Sequence, residues 1–180
     1  MERVLVIGDP GSGKSTFAAR LGNALGLPVV HLDAHFWRPG WEAPPRAEWT
    51  AQVAGLLHGT WVMDGHYRGT LALRARAADM VVILTPPRLT CMLRLIRRGL
   101  RDRGRGRVDL AAGCPEQLPD WSFLREAWGF AQRELPAALT MLNSPETVRP
   151  DGTRTRVVVL RSTHEVERFV ADMRLSLARQ

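Results

Sequence analysis

Gly8-Asp9-Pro10-Gly11-Ser12-Gly13-Lys14-Ser15 satisfies the pattern G-x-x-x-x-G-K-[ST] at every fixed position. Just before it, residues 3–7 (RVLVI) form a short β-rich apolar run, the pattern of a parallel strand buried on both faces. Just after it, Phe17, Ala18, Leu21 and Leu25 recur at helical spacing, Gly26 stands where a C-terminal cap belongs, and Pro28 lies beyond. Strand, glycine-rich turn and helix make up the context in which this motif has a physical meaning. The glycines let backbone N–H groups curl around a phosphate, and the helix adds the positive end of its dipole. Gly8, Asp9, Pro10, Gly11, Ser12, Gly13, Lys14, Ser15 and Thr16 are therefore the expected contacts of a nucleotide's phosphates. Lys14 is expected on the β- and γ-phosphates, with the Ser15 hydroxyl as a ligand of Mg²⁺.

The charge pattern supports this. The chain carries 25 lysines and arginines against 18 acids, a net charge of +7. Lys14 is the single lysine among those 25 cations, and it falls inside the phosphate motif. A planar guanidinium would be too large there for the role of a compact point charge.

Composition narrows the alternatives. At 180 residues the chain is expected to be one domain, and at 45% hydrophobic and 24% charged it can bury a core, which excludes wholesale disorder. No apolar run approaches the length of a membrane span. With only Cys91 and Cys114, neither a disulfide framework nor a four-cysteine zinc site is available. The start, MERVLVIG, lacks the charge and apolar pattern of a secretory leader, so a reducing cytoplasm is the expected compartment.

Further along, strands are expected at 29–32, 61–63, 80–84 and 156–160. They alternate with helices at about 46–58, 70–77, 88–101, 121–134, 136–142 and 163–178. Residues 34–47 and 102–120 read as loops. Trp49, Val53 and Leu56 share one helix face, and Trp121, Leu124 and Trp128 another. Trp49, Trp61, Trp121 and Trp128 are expected in the core or on a helix face. In the last helix Ser162 and Glu165 have capping-box spacing, and Val166, Phe169, Val170, Met173 and Leu177 form the buried stripe. Alternating strands and helices imply an α/β fold with a parallel sheet covered on both faces.

In such a sheet, ligands gather at the carboxyl ends of strands. Asp33 and Asp64 are both expected at such ends. Asp64, closing WVMD, is the candidate for holding Mg²⁺ through water. Asp33 is the candidate for orienting an acceptor hydroxyl or taking its proton. His31 is expected to be strand packing.

Asp64-Gly65-His66-Tyr67-Arg68 has the spacing of the DGFPR segment of adenylate kinases, with His-Tyr in place of Phe-Pro. With the phosphate loop, it resembles the adenylate kinase-like branch of P-loop NTPases. Three segments, HLDAHFWRPGW (31–41), WVMDGHYRGTLALRARAAD (61–79) and GCPEQLPDWSFLREAWGF (113–130), are similar to small P-loop proteins labelled "DNA topology modulation protein" or FlaR. The resemblance implies a five-stranded parallel sheet in the order 2-3-1-4-5, flanked by helices, with a small lid at about 102–120. It also implies that Arg68 grips phosphate. Thr85 departs from the pattern, standing where an aspartate is expected before the proline.

Seven arginines fall between 94 and 107, with only Asp102 opposing them in that window. Arg94, Arg98 and Arg101 share a helical face. The lid position makes Arg94 and Arg98 candidates for stabilising a transferring phosphoryl group, since the guanidinium fork matches phosphate oxygens. A nucleic-acid patch is the rival reading. His35, Phe36, Trp37, Arg38 and Trp41 follow Asp33 in a loop that can either stack on a flat acceptor or pin itself to the protein. The expected activity is Mg·ATP-dependent phosphoryl transfer to a small acceptor, such as a nucleotide, nucleoside or hydroxyl metabolite. A slow regulatory NTPase and a nucleic-acid-associated protein are the alternatives.

Overall fold

Strands β1 (Arg3–Gly8), β3 (Trp61–Asp64) and β4 (Met80–Leu84) are buried almost throughout, whereas β2 (Val29–His31) and β5 (Arg156–Leu160) are only partly covered. This gradient follows from their places in the sheet. The order is β2-β3-β1-β4-β5, all parallel, so the two partly covered strands are the edges. The computed structural model describes residues 1–177. No helix among them is long and apolar enough to cross a membrane.

Alternate residues of each strand feed opposite faces. Leu5, Ile7, Met63, Val81 and Ile83 point into one core, against α3 (Arg46–Leu56), α4 (Leu71–Ala77) and α6 (Trp121–Leu142). Val4, Val6, Val62 and Val82 point into the other, against α1 (Lys14–Leu25) and α7 (Thr163–Leu177). There Phe17, Ala18 and Leu21 meet Phe169 and Val170, as their helical spacing requires. Gly26 caps α1 in the left-handed conformation, and Ser162 accepts the Glu165 amide at the start of α7. The Leu177 side chain and the expected helix end at 178 lie outside the described residues.

Several expectations need correction. β2 stops at His31, and Leu32–Phe36 form a short helix, α2, so Asp33 sits in a first helical turn rather than at a strand end. The two helices expected at 121–134 and 136–142 are one, α6, with Pro136 inside it. Trp121 and Trp128 are 78% and 45% exposed, not core residues, while Trp49 and Trp61 are buried. Helix α5 (Arg88–Arg101) begins after Pro86-Pro87 as expected, and 102–120 holds no helix or strand.

Candidate functional site

Two positions of the turn between β1 and α1 admit only glycine. A Cβ on Gly8 would lie 2.2 Å from the Leu84 carbonyl oxygen, and one on Gly11 2.4 Å from that of Cys91. Both have positive φ, at 148° and 75°. The turn that results winds around Lys14, whose Nζ donates to the carbonyls of Gly8 (3.0 Å) and Asp9 (2.8 Å). Burial pushes the lysine's pKa down, while the charges of Asp33, Asp64 and Asp9 push it back up. The Ser12 Oγ is buried with no hydrogen-bond partner, a polar atom left for a ligand to satisfy.

The two candidate acids flank this loop, each held by a partner. The His31 Nδ1 and the Asp64 Oδ1 are 2.6 Å apart. The hydrogen bond to Asp64 raises the histidine's pKa despite partial burial. His31 is therefore more than strand packing: it orients the carboxylate at the end of β3. The Tyr67 hydroxyl donates to the Asp33 Oδ1 at 2.6 Å. Burial raises the pKa of Asp33, the Tyr67 hydroxyl and Lys14 lower it, and Asp64 and Asp109 raise it further.

Tyr67 reaches Asp33 from an unusual backbone, with φ 27° in a non-glycine residue. Arg74 holds it there. Its guanidinium, fully buried, donates to the carbonyls of Gly65 (2.9 Å), His66 (2.6 Å) and Tyr67 (2.8 Å), and its Nε to the Thr70 hydroxyl (3.1 Å). Phe36 and Trp49 pack on the Tyr67 ring. Phe36 also meets Trp37, which meets Trp41, so the aromatic loop after Asp33 is packed on itself and on Tyr67. Tyr67→Phe removes the bond that lowers the pKa of Asp33. We expect the acid limb of a pH–activity profile to move to higher pH in that variant, because Asp33 then protonates earlier as pH falls. An unmoved limb would mean that Asp33 does not titrate in the profile.

Arg68 stands at the cleft but is 55% exposed and 3.6 Å from Glu134, which also lies 3.3 Å from the His66 Nε2. Burial pushes the pKa of His66 down to about 4, so its imidazole is neutral at pH 7. Arg94 reaches the phosphate loop, donating to the Ser12 carbonyl at 3.0 Å. Arg98 does not. Its Nε donates to Glu116 at 2.8 Å, and Arg107 takes the second oxygen of the same carboxylate at 2.6 Å. Arg107 also pairs with Asp109. Burial pushes the Asp109 carboxyl up, but the Arg107 guanidinium and the Ser15 hydroxyl hold it below the ordinary carboxylate range.

The 102–120 stretch thus lies over the loop. It is also tied to the far wall, through Gly40 N–H to the Gly113 carbonyl (3.0 Å) and Trp41 Nε1 to the Pro115 carbonyl (3.3 Å). Asp109 and Glu116, both buried, are the parts of the site that sequence reasoning missed. A charge count carried nine residues past Arg107 would have met both. Arg74 and Glu134 were also missed, and nothing in their spacing marks them. The loop, Asp33, Arg68, Arg94 and Arg98 line one open cleft of about 2050 Å³, with Asp64 buried behind it beside His31.

No family model matches the chain, and no curated protein matches it. Solved structures do. It is similar to shikimate kinase from Acinetobacter baumannii in complex with shikimate, at 13% identity and a TM-score of 0.59, over 100% of this chain and 95% of that one. It is similar to a gluconokinase from Sinorhizobium meliloti 1021, at 19% identity and a TM-score of 0.53, over 99% and 92%. A shikimate kinase from Bacteroides thetaiotaomicron gives 14% and 0.54, over 98% of both chains. The chain has the P-loop kinase fold, with the strand order of that class.

Proposed function

We propose that the protein is a kinase transferring the γ-phosphoryl group of ATP to a small acceptor, in one domain whose lid is the 102–120 stretch. The observation that carries this reading is the pairing of two acids across one phosphate loop. Asp33 and Asp64 both act on the charge of Lys14, and each is oriented by its own hydrogen-bond partner. The resemblance of three segments to the adenylate kinase-like branch and its FlaR-like members points the same way.

The residues divide by side. Gly8 to Thr16 take the phosphates, with Lys14 as the cation and the Ser12 hydroxyl gaining its missing partner. Ser15 and Asp64 fit a hard cation, since both offer oxygen and His31 fixes the carboxylate. Mg²⁺ there would neutralise developing charge on the phosphates. Asp33 orients the acceptor hydroxyl and accepts its proton, and its burial favours that uptake. Arg68 faces the acceptor. Arg94 already touches the loop, whereas Arg98 and Arg107 are held by Glu116 until a phosphate competes for them. This pairing withdraws Arg98 and Arg107 from a nucleic-acid patch, because cations that point inward at a carboxylate are not presented to a polyanion, while Arg97, Arg103 and Arg105 stay exposed.

The test is ATP consumption across a panel of acceptors: hydroxy acids including shikimate and gluconate, nucleosides, and nucleoside monophosphates. We expect one class to raise turnover well above the acceptor-free rate. Asp33→Asn should cut the stimulated rate by about 10²–10⁴-fold, the usual worth of a general base, with little change in ATP affinity. Slow hydrolysis that no acceptor stimulates would make the protein a regulatory NTPase. Loss of ATP affinity equal to the loss of rate would put Asp33 on the nucleotide side.

A further inference from the structure

Helix α5 packs on the protein through Cys91, Leu95 and Gly99. A second face is apolar and exposed: Leu89, Leu93, Ile96 and Leu100 are 67%, 61%, 39% and 65% exposed. A surface helix normally turns its polar face outward. From its place in the fold we propose that this face pairs with the same face of a second copy of the chain, the two α5 helices running antiparallel about a two-fold axis.

The spacing carries the argument. The four residues follow one another at intervals of four, three and four, which is the seam of a heptad repeat rather than a general apolar scatter. That interval series reads the same from either end. A two-fold antiparallel contact demands this, because the one patch must complement itself. Leu89 then meets the partner's Leu100, and Leu93 meets the partner's Ile96.

The flanks also match. On one side Arg97 comes opposite the partner's Thr90, so like charges do not meet. On the other, Met92 comes opposite the partner's Gly99, long against small. Of the other four arginines of the helix, Arg88 lies over the Trp128 ring, Arg94 reaches Ser12, Arg98 reaches Glu116, and Arg101 closes on Asp102. Trp128, whose ring lies under the Arg88 guanidinium, and Trp121 two turns away extend the apolar face along α6. They bring it toward the roughly 800 Å² per partner that stable interfaces bury. Leu89, Leu93 and Ile96 do not line the cleft, whereas Leu100 and Arg97 do, so the pairing would cover part of the cleft wall.

Sedimentation velocity on the full chain tests this. We expect a species of twice 20.1 kDa at high micromolar concentration, and a monomer for Leu93→Gln/Ile96→Gln with an unchanged circular dichroism spectrum, since both positions are exposed. Under mild oxidation, Leu93→Cys/Ile96→Cys should cross-link into dimers where Leu93→Cys alone does not, because the antiparallel register sets 93 against 96. A wild-type monomer overturns the proposal, as does a dimer that the double glutamine variant leaves intact. Failure of the double-cysteine variant to cross-link overturns the register. A monomer that co-sediments with phosphatidylglycerol vesicles assigns the face to lipid and overturns it too.

Discussion

Lys14→Ala should abolish ATP turnover while the protein stays folded. The side chain makes no core contact; it donates to two carbonyls of the loop it occupies, and those face an open cleft where water can replace it. What is lost is the cation aimed at the phosphates. Removing one preorganised donor from developing charge costs about 10²–10³ in rate. A full positive charge among three carboxylates should cost at least that. The charge of Lys14 also lowers the pKa of Asp9 and of Asp33. Its removal therefore pushes both carboxyls upward, so that Asp33 protonates at a higher pH and less of it stands ionised as pH falls. Turnover by coupled assay, with circular dichroism as the control for folding, reads the result. Wild-type turnover in this variant would sink the phosphate-loop assignment.

The loop could be recognised from sequence because its chemistry is local. Every constraint on Gly8 to Ser15 comes from neighbours in the chain or from the strand and helix that flank them. The same holds for the buried strands and for α1 and α7, whose apolar spacing gives their faces directly, but not for α5, whose apolar series is exposed. Sequence reasoning failed where the deciding contact is distant. The break expected between 134 and 136 is absent: α6 runs through Pro136, with Ala127 and Ala138 buried on either side of it, and packing outweighs the lost hydrogen bond. Asp33 is not at a strand end as expected, because β2 is an edge strand that stops at His31, where its pairing with β3 ends. The His31–Asp64 contact spans 33 residues, and Arg94 to Ser12 spans 82. Neither leaves a spacing that a reader could detect. Asp109 and Glu116 are different, since they follow the arginine run within nine residues of Arg107.

Arg74→Leu should be the most damaging substitution to the fold, and its effect should reach the site without touching a ligand. Arg74 is fully buried, and burial pushes its pKa down to about 9. Such a group is held only because its donors are used: three backbone carbonyls and one hydroxyl accept from it. Leucine keeps much of the volume but leaves those acceptors facing apolar surroundings. Each unsatisfied group costs about 1–3 kcal/mol, and breaking a buried charged contact typically costs about 3–5 kcal/mol in total. For a chain of this size, 1 kcal/mol lowers the melting temperature by about 2–4 °C, so the drop should be about 6–20 °C. The residues 65–67 that Arg74 gathers include the strained Tyr67, which holds Asp33. Well below its melting temperature, Arg74→Leu should therefore still lose acceptor-stimulated turnover while binding ATP, because the phosphate loop has no contact with Arg74. A variant that melts early but transfers normally would show that the 65–67 turn serves stability alone.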